Sequence, residues 1–176
     1  MCEKLPPRIS LIGFMASGKS SIGRLLAGKV AYTFIDLDEL IEERTGKSIP
    51  EIFTGEGEEL FRNYESEALY SLSDTAKLII AGGGGAAVQP ANRNFFLNQS
   101  YTIYLHVSYK EFLRRTKGRT NRPLLKKPPA DIEALYHERL PLYRQIGREI
   151  ATDGRNLEEI TGEIITLLCE KPDLHC

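Results

Sequence analysis

The sequence predicts an α/β fold of three layers, a five-stranded parallel sheet between helices on both faces. Two observations predict it. Short apolar runs alternate with helical stripes along the 176 residues, and the first run empties into a glycine-rich segment that opens a helix.

Arg8 to Phe14 (RISLIGF) is apolar and ends at glycine, which marks a buried strand. In Ser20–Lys29, Ile22, Leu25 and Leu26 recur at the spacing of a helical stripe. Tyr32–Asp36 reads as the second strand, and Leu37–Arg44 as a short helix stopped by Gly46. Ile49–Phe53 and Glu58–Leu72 read as helices, the longer one with Phe61, Tyr64 and Ala68 on one face. Lys77–Ala81 is the third strand and runs into Gly82–Gly85; Tyr101–Val107 is the fourth. Ser108 and Glu111 have the spacing of a capping box for a helix reaching about Thr116. Lys117–Pro129 is polar, basic and proline-containing, hence a loop. Asp131–Ile146 has a helical pattern that Pro141 should break or kink. Glu149–Thr152 is the fifth strand, and Asn156–Cys169 the last helix, with Leu157, Ile160, Ile164, Ile165 and Leu168 as its stripe. No repeat or linker interrupts the chain, so one domain over residues 1–176 is expected.

Composition narrows the function. Apolar residues make up 41% and charged residues 27%, as in an ordinary globular domain. The net charge of −1 predicts no nucleic-acid or membrane partner. Cys2, Cys169 and Cys176 form no CxxC and no metal-ligand spacing, so reduced thiols are expected. No signal core precedes the first strand. A cytoplasmic monomer acting on a small molecule is the expectation.

The strongest local signal is Gly13-Phe14-Met15-Ala16-Ser17-Gly18-Lys19-Ser20, a full G-x-x-x-x-G-K-S match between a strand and a helix. Glycines let backbone N–H groups wrap phosphate oxygens, and the helix start adds its positive end. Lys19 suits the β- and γ-phosphates, and the Ser20 hydroxyl suits Mg²⁺. Gly13, Ala16, Ser17, Gly18, Lys19, Ser20 and Ser21 are therefore nucleotide-binding candidates. Phe14 and Met15 read as packing residues. No N-K-x-D guanine-reading sequence occurs.

Asp36 and Asp38 end the second strand, where an α/β sheet faces its ligands. One could hold the metal and the other receive a proton; a helix N-cap plus a first-turn acid explains them equally well. Arg62, Arg122 and Arg139 could fork onto carboxylate or phosphate, or be ordinary surface residues. The basic segment Arg114–Leu125 has no acid and no aromatics; it reads as a lid over phosphates or as a solvated loop. Gly82–Gly85 suggests close approach of backbone to ligand, with a plain loop as the alternative.

Taken in order, GFMASGKS, FIDLD, SIPEIF, FRNYE, the glycine run, RPLL and RLPLYR resemble the shikimate kinase family, of P-loop, nucleoside-monophosphate-kinase-like type, from about Ile9 to Leu168. The resemblance implies transfer of the γ-phosphoryl of ATP to the 3-hydroxyl of shikimate, in chorismate biosynthesis. It implies Lys19, Asp38 and Arg122 as catalytic residues, and Ser20 and Asp36 at Mg²⁺. It implies Arg62 and Arg139 on the substrate carboxylate, Glu65 orienting Arg62, Gly83, Gly84 and Gly85 near the ring, and Phe53 and Phe61 lining the pocket. Arg155, and less directly Arg115, would meet adenine. Residues about 37–65 would form the substrate-binding segment and about 114–127 the lid. The family usually has Gly at Ala16 and Thr at Gly82; neither change removes an essential group. Another small kinase, of gluconate or nucleoside monophosphate type, and a silent nucleotide-binding module are the competing readings.

Overall fold

In a computed structural model, which describes residues 5–118 and 123–170, a single sheet runs β2–β3–β1–β4–β5. Its strands are β1 (Arg8–Ile12), β2 (Thr33–Asp36), β3 (Leu78–Ala81), β4 (Tyr101–His106) and β5 (Arg148–Ala151). Every neighbouring pair is parallel. Because β1 lies between β3 and β4, the segments leaving β1 and β3 emerge side by side. The Gly82 N–H donates to the Leu11 carbonyl at 3.0 Å. This topology puts the two glycine-rich segments in one crevice at the carboxyl ends of the strands.

The period-two pleat splits the apolar residues between two cores. Ile9, Leu11, Ile79, Ile103 and Leu105 pack with Ile22 and Leu26 of α1 (Lys19–Val30) and with Ile160, Ile164 and Leu168 of α8 (Leu157–Glu170). Ile12, Leu78, Ile80 and Tyr104 serve the opposite face, with α2 (Leu37–Thr45), α3 (Ile49–Gly55), α4 (Gly57–Tyr70), α6 (Tyr109–Thr116) and α7 (Pro129–Ile146).

Local chemistry explains the boundaries. Asp36 caps α2, and Gly46 closes it at φ +65. Glu51 accepts from both the N–H and the hydroxyl of Ser48, fastening the start of α3. The box expected at Ser108 is only half made. Its hydroxyl accepts from the Glu111 N–H at 3.2 Å, but the Glu111 carboxylate binds Arg114 and Arg115 instead.

Three expectations are corrected. Helix α7 is not broken at Pro141; one lost backbone donor is outweighed where Tyr136, five residues before it, and Tyr143, two residues after it, are buried. Residues 86–100 were assigned no element. They hold a 3-10 turn, the short α5 (Pro90–Asn94) and a π turn over Phe95–Gln99 that buries Phe95 and Phe96. Cys169 is disulfide-bonded rather than reduced, and the other cysteines lie outside the described residues. No helix among the described residues is long and apolar enough to cross a membrane.

Candidate active site

The segment after β1 is an anion cradle by its backbone. Gly13 (φ +146) and Gly18 (φ +98) occupy the left-handed half of φ space, and a β-carbon on Gly13 would stand 2.5 Å from the Leu105 carbonyl oxygen. Ala16 also sits at φ +62, which costs an L-residue about 1 kcal/mol. Arg115 Nη1 donates to its carbonyl at 3.0 Å. Helix α1 starts at Gly18 with neither a side-chain cap nor an acid in its first turn, leaving its N–H groups for an anion. Lys19 Nζ donates to the carbonyls of Gly13 and Phe14, each at 3.0 Å. Ser17 Oγ is buried with no hydrogen-bond partner among the described residues. Ser21 is exposed. Phe14 packs edge-on against Phe112 and Tyr136, as a core residue.

Asp36 is the cap of α2, and both of its oxygens are engaged. Oδ1 accepts from the Asp38 N–H at 3.0 Å as a helix cap, and Oδ2 accepts from Ser20 Oγ at 2.5 Å. Among the described residues no group of three or more His, Cys, Asp or Glu side chains could hold a metal. A hard cation would therefore draw on Ser20, Asp36, water and phosphate oxygens, which is the manner of Mg²⁺.

Each residue of the glycine run has its own reason. A β-carbon on Gly83 would stand 2.5 Å from Glu65 Oε1 and 3.2 Å from Asp38 Oδ1. One on Gly85 would overlap the Arg62 guanidinium. One on Gly84 would meet only ordinary contacts, the Met15 nitrogen at 3.6 Å and Arg139 Nη1 at 3.9 Å. Gly82 likewise has room for a side chain, its nearest neighbour being Phe96 Cζ at 3.5 Å.

Around that run the charges converge. Arg62 Nη1 donates to Glu65 Oε2 and Nη2 to Glu58 Oε1, both at 2.9 Å. Its guanidinium lies over the Phe61 ring, and Phe61 packs on Phe53 with centroids 4.7 Å apart. Glu65 is 1% exposed, and its Oε1 has no hydrogen-bond partner among the described residues. Burial pushes its carboxyl up to about 7, outweighing the attraction of Arg62 and then Arg139, while Asp38 pushes it further up. From α7, Arg139 Nη1 donates to the Gly84 carbonyl at 3.1 Å. Lys19, Ser20, Asp36, Asp38, Arg62, Glu65 and Arg139 thus border one crevice.

A cleft of about 600 Å³ adjoins it, lined by Ser17, Gly18, Arg114, Arg115, Thr152 and Arg155 among others. Arg115 is held by Glu111, by Thr152 and by the Ala16 carbonyl. Hydrogen bonds from Arg114 and then Arg115 hold the Glu111 carboxyl down at about 2. Arg155 is tied to the Ala151 and Glu159 carbonyls and to Glu163. Arg122 lies outside the described residues.

Glu111, Thr152 and Tyr143 were not singled out from sequence. In sequence Glu111 reads as part of a cap and Thr152 as a strand end, while Tyr143 falls in the helical stretch and the RLPLYR fragment with no role of its own. Tyr143 stands four residues beyond Arg139, so helical spacing was the one signal that placed them on a common face.

A family model described as shikimate kinase matches residues 15–169. A shikimate kinase of Synechococcus elongatus is 42% identical over 153 residues, covering 86% of this chain and 80% of that one. The structure of shikimate kinase from Acinetobacter baumannii in complex with shikimate is 35% identical, with a TM-score of 0.90 and 96% of each chain covered. That of shikimate kinase from Aquifex aeolicus is 38% identical, with a TM-score of 0.82, covering 93% of this chain and 96% of that one.

Proposed function

The chain belongs to the shikimate kinase family, and we propose from that premise that it phosphorylates the 3-hydroxyl of shikimate with ATP, in the cytoplasm. The observation that carries the site assignment is the glycine run on which an acid, two guanidinium groups and the phosphate loop all close.

The chemistry follows from the groups present. The N–H groups of Gly13–Ser20 and the open start of α1 receive the phosphates. Lys19 turns from its own loop's carbonyls to the β- and γ-phosphate oxygens, exchanging neutral acceptors for charged ones. Arg62 and Arg139 take the substrate carboxylate, with Glu65 keeping Arg62 in place. Asp38 accepts the hydrogen bond of the 3-hydroxyl and then its proton. The new bond joins that oxygen to the γ-phosphorus, and the bond from phosphorus to the bridging oxygen breaks to release ADP. Ser20 and Asp36 would hold Mg²⁺, which when bound would supply neutralisation of phosphate charge. Arg115 and Arg155 border the cleft that takes the adenine.

Positioning and charge neutralisation are most of what phosphoryl transfer asks of a protein. An ADP-release assay across shikimate, gluconate and nucleoside monophosphates tests the acceptor. Turnover that depends on shikimate alone is expected. Turnover only with gluconate or a nucleotide overturns the acceptor, and ATP binding without any acceptor-dependent transfer supports a silent module.

A further inference from the structure

We infer that Tyr143 is a positioning residue for the carboxylate side of the crevice, acting through the Gly84 carbonyl that it shares with Arg139. Arg139 and Tyr143 stand one turn apart on α7, and both donate to that one oxygen, Arg139 through Nη1 and Tyr143 through its hydroxyl. Tyr143 is 1% exposed and stacks on Tyr104 with centroids 5.2 Å apart, so the ring has little freedom. Tyr104 is itself 1% exposed, within β4. Burial raises the Tyr143 hydroxyl to about 12, so it remains a donor throughout the working pH range.

The consequence concerns Arg139. A carbonyl oxygen has two lone pairs, and here α7 supplies a donor to each. With the hydroxyl in place, the Gly84 peptide stays anchored when Arg139 swings both terminal nitrogens onto a carboxylate. Without it, Arg139 is the only donor that α7 offers that oxygen, and substrate must compete with the loop for the guanidinium. A trans peptide sets C=O and N–H on opposite sides, so anchoring the Gly84 carbonyl also aims the Gly85 N–H.

The inference rests on shikimate as acceptor, and Tyr143→Phe tests it, since only the hydroxyl is removed. KM for shikimate should rise about tenfold, as for one lost buried hydrogen bond, while KM for ATP stays within twofold. The preference for shikimate over its analogue with the carboxylate reduced to an alcohol should shrink by a similar factor. An unchanged preference in the Phe variant overturns the positioning role and leaves the acceptor reading intact. So does a loss shared equally by ATP and shikimate, or a Phe variant that circular dichroism shows unfolded, since the hydroxyl would then serve stability alone. A wild-type enzyme inert towards shikimate overturns both readings.

Discussion

Ser20 Oγ and Asp36 Oδ2 meet at 2.5 Å, joining the first turn of α1 to the cap of α2. The cap made by Asp36 and its proposed role at the metal are therefore separable by mutation. Asp36→Asn keeps an oxygen for the Asp38 N–H, so thermal stability should stay near wild type. Asp36→Ala should lose about 1 kcal/mol with the cap. Both variants should need several-fold more Mg²⁺ for half-maximal rate. A titration of rate against Mg²⁺ identical to wild type in both would remove Asp36 from the metal.

Arg62→Ala and Arg139→Ala should each weaken shikimate binding by roughly 2–5 kcal/mol, because each leaves a desolvated carboxylate short of a partner. ATP binding should change little. Steady-state KM values for both substrates check this, and a near-normal shikimate KM in both variants would refute the clamp.

The glycine run should respond position by position. Gly85→Ala should displace the Arg62 guanidinium and raise the shikimate KM much as Arg62→Ala does. Gly84→Ala should fold normally, since the protein itself leaves room there, yet should lose shikimate affinity. Gly82→Thr should be tolerated in both respects. Melting temperatures beside KM values separate the three.

Glu65 links stability to pH. Its carboxyl is raised from 4.5 to about 7 by burial, so the folded state holds a proton that the unfolded chain has released over that range. Stability from this group is complete below about pH 4.5 and is lost as pH rises through about 7, by on the order of 3 kcal/mol. Urea unfolding at pH 5 and pH 8 should show a smaller fall in Glu65→Gln than in wild type. Parallel pH profiles would contradict the assignment.

Ala16→Gly should stabilise the protein, because the left-handed φ of +62 strains a β-carbon and not a glycine. Part of the gain, of order 1 kcal/mol, is offset by the greater entropy of the unfolded glycine. Thermal unfolding of the two proteins measures the balance, and a lower melting temperature for Ala16→Gly would show that entropy wins.

Much of the fold was legible because its signals are local. The strand run before Gly13, the phosphate loop and the stripe of α8 each lie within one stretch of chain. The misread parts were decided at a distance. Pro141 is carried because Tyr136 and Tyr143 are buried against the sheet side of α7, which the helix's own sequence does not show. Glu111 abandons its cap for Arg115, whose other partners are Ala16 and Thr152. At the site, residue types and order were readable, but not which group excludes which. Gly83 and Gly85 are glycine at least in part to make room for Glu65 and Arg62, two side chains of α4.

The most direct measurement is phosphorus NMR of the product formed from ATP and shikimate. A single new phosphate monoester on the 3-oxygen, appearing one for one with ADP, is the predicted result. Inorganic phosphate accumulating with ADP, and no ester, would contradict it.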